Sequence, residues 1–438
     1  MTTGNGKDRS KDRKEIPERF PAPALDQLLH LARHLHDGQL RAVLTFSGGR
    51  LDAGRLVRAF QLTLDAEPVL GCRFVAHPWR PYWERLPDDR LASPLSVAEE
   101  DNEDAVHAWL KTPLDASKDV QAHACLFRGT QEKLAVKLSH EVADAEGVLD
   151  YLGLVSNIYR ELGHNPAYVP PPASERPGHE PVLRNAGFRK VVRGCLHFSG
   201  PGPGIEPSMT GERPGVPVFA ARRVEPEGFS RIREYCRTHG VTVNEVILAA
   251  FHRAQYRVLA PATTAALTIP VTINLRPYLP AGSTWGVCNL SAAFFLRAKN
   301  QGFDALVTDV RRLMAEARSK TPWLAQALLL ELTFLQPYAL NRRLVGRLIL
   351  RQIASGRIHP YVGNLGIVDT RRLDFEKAVV GDVRRYGPIP HQAVPLIGVY
   401  TVRDGLMVSI TTRDRSDGRE AERLLDAYVN ELPVQGAV

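Results

Sequence analysis

Lys137-Leu138-Ser139-His140-Glu141-Val142-Ala143-Asp144-Ala145-Glu146-Gly147-Val148 joins two apolar runs of different period. The run before it (Leu134, Ala135, Val136, Leu138) is strand-like, and the run after it (Val148, Leu149, Tyr151, Leu152, Val155, Ile158, Tyr159) is helix-like. The pattern predicts His140 at the end of a strand, on a short turn before a helix. A histidine there can be held with its ring toward a cleft. A neutral imidazole takes a proton from an alcohol, amine or thiol near its ordinary pKa of about 6.5. Asp144 lies four residues on, close enough for the turn to fold back on itself. It either acts on the ring or holds the turn, and the spacing leaves both open. No G-x-S-x-G elbow occurs anywhere in the chain, which speaks against a hydrolase triad.

Working outward, 438 residues exceed the usual size of one core, and two lobes are expected. Apolar content of 44% and charged content of 24% are those of a soluble globular protein. The 56 basic and 48 acidic residues leave a net charge of +8, which suits anionic small molecules or an acidic partner and makes a weak case for nucleic acid. Five scattered cysteines with no C-x-x-C pair indicate neither a zinc site nor a disulfide framework. They read as reduced thiols of a cytoplasmic protein. Residues 1–18 are polar and basic without an apolar core, and are expected to form a flexible tail rather than a secretory signal. No apolar run approaches the ~18–20 residues of a membrane span. P-loop, G-x-G-x-x-G and internal repeats are absent.

Strand and helix patterns mix in both halves without a regular βαβ alternation, so the fold class expected is α/β (α+β). Residues 19–165 form the first lobe. Clustered prolines (Pro166, Pro170, Pro171, Pro172, Pro177, Pro181) and a second Pro/Gly-rich stretch mark 166–217 as the connection, with a basic helix from Arg184 to Leu196 inside it. Residues 218–438 form the second lobe. Within the first, His30 and His34 stand four apart on a helix. With no third ligand in view and His36 off their face, they read as a solvated helix surface. Within the second, Thr242 and Glu245 have the spacing of a capping box. The chain from Phe303 to about Ser355 is largely helical, and its end carries Arg342, Arg343, Arg347, Arg351 and Arg357. A core-packing helix with solvated arginines is the favoured reading there. Docking on a membrane surface or an acidic partner is the alternative.

His140 to Gly147 resembles the H-x-x-x-D-G signature of the condensation-domain and chloramphenicol-acetyltransferase-like acyltransferase superfamily. The resemblance extends, in order, from about Pro21 to the C-terminus. Glu67-Pro-Val-Leu-Gly-Cys-Arg-Phe is similar to the family's early proline-containing strand, and Pro113-Leu-Asp to its "PLD" segment. Gly240-Val-Thr-Val-Asn-Glu-Val-Ile-Leu-Ala-Ala is similar to a second-lobe helix, and Pro270-Val-Thr-Ile-Asn-Leu-Arg276-Pro277 to the "P-V-N-L-R-P" strand. Gly286-Val-Cys-Asn289 resembles the "G-N" segment, and Tyr361-Val-Gly-Asn364-Leu-Gly366 the "S-N-x-G" strand of the alcohol acetyltransferase-like branch.

The resemblance implies two chloramphenicol-acetyltransferase-like lobes in a V, with the motif histidine midway along a central tunnel. It implies an acyl group moving from coenzyme A or a carrier-protein phosphopantetheine to an alcohol or amine, forming an ester or amide without an acyl-enzyme. His140 would be the general base. Asp144 would pair with Arg276 and support the turn. Gly147, Asn289, Ser291 and Asn364 would line the substrate path. No bound cofactor and no metal are implied. Substrates would be small molecules or groups tethered to an acidic acyl carrier protein acting in trans, as in natural product biosynthesis. The sequence departs from the family in three places. Ser139 stands where many condensation domains carry a second histidine, and Ala145 replaces the glycine after the aspartate. The D-F-G-W loop of several branches has no clear counterpart. The alternative that Ala145 and the missing loop raise is a degenerate relative that binds a carrier protein or ligand without transferring anything.

Overall fold

A computed structural model describes residues 16–91, 94–173, 176–200, 202, 215–259, 266–283, 286–355, 357, 359–416 and 418–434. Most of the tail expected over 1–18, Trp285 and most of 201–214 in the connection therefore lie outside the described residues. The structure is mixed α/β, with three sheets and twelve α-helices among the described residues.

A five-stranded sheet has the order Val379–Tyr386, Gln39–Gly48, Lys133–Ser139, Ala122–Phe127, Leu95–Ala98. Its centre is made by alternation. Ala42, Leu44, Leu134, Val136 and Leu138 point to one face and meet the helices Ala53–Ala66 and Ala145–His164. Asp52 caps the first of these helices by accepting from the Arg55 N–H, as its position predicts. The second turns Val148, Tyr151, Leu152, Val155 and Tyr159 inward. A six-stranded sheet has the order Ser291–Ala298, Leu267–Asn274, Tyr361–Val368, Leu396–Val402, Gly405–Asp414, Val216–Val224. Helices Val243–Leu259 and Arg419–Glu431 cover it. The first of them starts with the expected box: Thr242 N–H donates to Glu245 Oε2 (2.9 Å) and Glu245 N–H to Thr242 Oγ1 (3.3 Å). A small sheet, Arg19–Pro21, Tyr82–Arg85 and Cys72–Val75, flanks the first half.

Three features differ from the sequence reading. Strand Val379–Tyr386 belongs by position to the second half, yet pairs antiparallel with Gln39–Gly48 and closes the first sheet. The basic helix of the connection is two helices, Glu180–Ala186 and Phe188–Leu196, because Gly187 at φ 83° lets the backbone turn between them. The last helix of the long helical stretch, Tyr338–Ala354, sinks Val345 and Ile349 into the core but leaves Leu344 and Leu348 exposed, so it is not a plain core-packing helix. Among the described residues no helix is long and apolar enough to cross a membrane.

Candidate active site

Strand Lys133–Ser139 pairs along its length with Gln39–Gly48, which fixes the turn that follows at the sheet's end. The His140 N–H donates to the Gly38 carbonyl (2.7 Å), and the His140 carbonyl accepts from Asn289 Nδ2 (3.1 Å). The ring Nδ1 lies 2.9 Å from the Ala143 carbonyl oxygen. A carbonyl only accepts, so Nδ1 carries the hydrogen and Nε2 keeps a free lone pair. Burial draws the His140 pKa below its ordinary 6.5, against the Ala143 bond and the Asp144 charge. The ring of His36 lies 6.1 Å from that of His140, centroid to centroid. Burial first, and His140 second, hold His36 down to about 3, and its Nδ1 accepts from the Gly38 N–H (3.0 Å). His140 therefore has an uncharged imidazole beside it at neutral pH.

Asp144 turns away from that ring. Its Oδ1 accepts from the Gly147 N–H (2.9 Å), capping helix Ala145–His164. Its Oδ2 accepts from the Leu290 N–H (2.8 Å) and from Arg276 Nη1 (2.9 Å). Arg276 Nη2 also donates to the Cys288 carbonyl (3.2 Å), which takes the Asp144 N–H as well (3.3 Å). The motif aspartate thus stitches the turn to the second half. Asp150 stands 4.0 Å from Arg276 at the edge of this cluster, and burial lifts its carboxyl to about 6.

A cavity of about 570 Å³ opens beside the turn. The first half contributes His36, Arg41, His140 and Glu146 to its wall, and the second half contributes Asn244, Thr272, Ser291, Tyr361 and Asn364. The volume falls in the range of small-molecule sites. Among the described residues, no group of three or more His, Cys, Asp or Glu is placed to hold a metal ion.

No family model and no curated protein matches the sequence. The fold does match solved structures across nearly the whole chain. Polyketide synthase associated protein 5 from Mycobacterium tuberculosis superposes with a TM-score of 0.64 at 14% identity, covering 94% of this chain and 98% of the other. The first condensation domain of the calcium-dependent antibiotic synthetase, in complex with a substrate analogue, gives 0.69 at 18% identity over 96% and 97%. The trichothecene 15-O-acetyltransferase from Fusarium sporotrichioides gives 0.66 at 12% identity over 95% and 95%. The chain has the condensation-domain fold.

Within the condensation-domain fold of this chain, the expected site residues separate into two groups. His140, Asp144, Arg276, Ser291 and Asn364 reach the cavity wall, as does Ala145. Gly147 and Asn289, expected to line the substrate path, stand behind it. Asn289 is buried, and its amide nitrogen is spent on the carbonyls of His140 (3.1 Å) and Glu141 (2.9 Å) and on Asp26 Oδ1 (3.3 Å). It supports the turn from below. Gly147 faces Cys288, and a Cβ there would meet the Cys288 carbonyl oxygen at 3.0 Å. That carbonyl is pinned by Arg276 and by the Asp144 N–H, so it cannot yield. Gly147→Ala should therefore cost about 1 kcal/mol net, overpacking outweighing the gain in helix propensity. A denaturant midpoint unmoved or raised would contradict it. Asn364 sits where the register of Tyr361–Val368 slips, with its Oδ1 accepting from the Gly366 N–H (3.1 Å).

Four supporting residues escaped the sequence reading. Arg176, from the Pro-rich connection, grips Asp26 with two nitrogens at 2.8 Å and donates to the carbonyls of Val142 (3.0 Å) and Val287 (2.9 Å). Burial raises the Asp26 pKa despite that cation. His30 is no solvated surface residue: it stacks on Phe74 at 4.1 Å, and its Nδ1 meets Glu141 Oε2 at 2.9 Å. His34 is the exposed member of that pair. His36 is the fourth. No local spacing marks any of the four, because each acts across an element that arrives from elsewhere in the chain.

Proposed function

We propose that this protein is an acyltransferase that moves an acyl group from a thioester to an alcohol or amine. The observation that carries the reading is His140: a neutral imidazole on the cavity wall whose Nδ1 is committed to the Ala143 carbonyl, leaving Nε2 to accept a proton. In the proposed scheme Nε2 takes the acceptor's O–H or N–H proton as the oxygen or nitrogen attacks the thioester carbonyl. The tetrahedral adduct then expels the thiolate, which regains a proton from the imidazolium. The products are an ester or amide and a free thiol, and His140 ends neutral. The donor is a substrate, coenzyme A or a carrier-protein phosphopantetheine, and its phosphates suit a chain of net charge +8.

The test is a panel of acyl thioesters against alcohols and amines, with products read by mass spectrometry and released thiol counted alongside. Turnover above the buffer rate that disappears in His140→Ala supports the reading. A protein that binds a carrier or thioester tightly but turns over none would favour the degenerate-binder alternative, to which the Ala145 methyl on the cavity wall contributes.

The pH dependence has a definite sign. His140 must be unprotonated to act, and its folded pKa lies below 6.5. The rate should hold at neutral pH and fall tenfold per pH unit once the pH drops below that depressed value. A profile already half lost at pH 7 would contradict it.

A further inference from the structure

Helix Tyr338–Ala354, which follows helix Pro322–Thr333 in the chain, has an outer face that is apolar and basic at once. On it Leu340, Leu344 and Leu348 recur every four residues and are exposed, Leu348 to 62%. Beside that row runs a second one at the same spacing, Arg343, Arg347 and Arg351, also exposed. From Tyr338 to Ala354 the helix contains no acidic residue, and among the described residues neither these arginines nor Arg342 makes an ion pair. Leu332 and Leu335, which precede this helix in the chain, are exposed as well, Leu335 to 62%.

A tryptophan from a distant part of the chain is mounted at the start of this helix. Trp79 is 67% exposed, and its carbonyl accepts the Tyr338 N–H (3.2 Å). The Pro78 carbonyl accepts the Ala339 N–H (2.8 Å), and Arg80 Nη1 donates to the Phe334 carbonyl (3.1 Å). The Trp79 backbone is thus held at the start of helix Tyr338–Ala354, with its side chain exposed.

We propose that this face docks on an anionic membrane surface, with the leucines and Trp79 at the acyl boundary and the arginines among the headgroups. Apolar side chains alternating with unpaired arginines, and an indole at the edge, are the composition of an interfacial helix. Two-fold self-pairing through the same face would set arginine row against arginine row, with no acid in the helix to compensate. An acidic carrier protein would answer the arginines but leave the leucines and the indole in water. The docking surface is independent of the acyl-transfer chemistry proposed above.

The experiment is flotation of the full chain with phosphatidylcholine vesicles and with phosphatidylcholine vesicles enriched in phosphatidylglycerol. Partitioning should be more than about tenfold stronger onto the anionic vesicles, since each arginine near the surface contributes enough that two suffice for that factor. Arg343→Glu with Arg347→Glu should remove the anionic preference, and Leu344→Glu with Leu348→Glu should abolish flotation. All four positions are exposed, so melting temperatures should be unchanged and are measured alongside. Trp79→Ala should remove a vesicle-induced blue shift in fluorescence. Absence of flotation, flotation indifferent to the leucine changes, or a dimer in light scattering that the leucine changes dissociate would each overturn the proposal. So would a complex with an acidic carrier protein that depends on the same leucines.

Discussion

His140→Ala is expected to lower acyl transfer by about 10²–10⁴-fold while leaving the folded protein intact. The rate expectation follows from position. Nδ1 is bound to a backbone carbonyl of its own turn, so the ring presents one basic nitrogen, and alanine removes it. The expectation about the fold follows from what the ring does not do. The backbone N–H to Gly38 and the carbonyl to Asn289 hold the turn, and neither involves the imidazole. The loss should fall on kcat and not on the Michaelis constant if Nε2 acts only as the proton is transferred. His140→Gln, which keeps a polar group of similar reach without the basicity, should be nearly as inactive. A variant that retains more than about a tenth of the wild-type rate would assign the chemistry elsewhere on the cavity wall.

Asp144→Ala should act on both stability and rate, with a loss of about 3–5 kcal/mol from the pair alone. The carboxylate is 7% exposed and Arg276 16%, so solvent does little to screen the break. Truncation leaves the part-buried guanidinium with only Asp150, 4.0 Å away, as an anion. It also frees the Leu290 N–H and uncaps helix Ala145–His164. The rate should fall because the same helix start orients the His140 turn. A double-mutant cycle separates the terms: Asp144→Ala in an Arg276→Met background should cost much less than in wild type, since no unpaired charge then remains. Equal costs in both backgrounds, or an unchanged melting temperature, would show that the pair does not carry the turn. Asp144→Asn keeps the cap geometry and should lie between the two.

These two residues show what a sequence conveys well. A strand, a four-residue turn and a capped helix are local events, set by alternation, by one short polar side chain and by the apolar rows on either side. His140 and Asp144 could therefore be placed on a turn from the twelve residues around them. Arg276 is different: it stands 132 positions from Asp144, and only its match to a family strand suggested the pairing now seen at 2.9 Å. His36, Asp26 and Arg176 had no such match. Their significance comes from the helix, strand and proline-rich segment that carry them meeting around one turn, and nothing in their own neighbourhoods encodes that meeting.

By itself, the sequence determined the α/β class, the capping of helices Ala53–Ala66 and Val243–Leu259, and the turn that carries His140. Each depends on interactions within about one turn or one strand, so the residues that cause them are adjacent in the chain. Tertiary structure alone decided that Val379–Tyr386 crosses to the first sheet, that Asn289 and Gly147 stand behind the cavity, and that His30 is buried against Glu141. It also decided that Val345 and Ile349 of Tyr338–Ala354 meet the core while the leucines of that helix meet solvent. Helical periodicity ranks the faces of a helix but does not say how much of the apolar face its neighbours cover. That depends on elements hundreds of residues away.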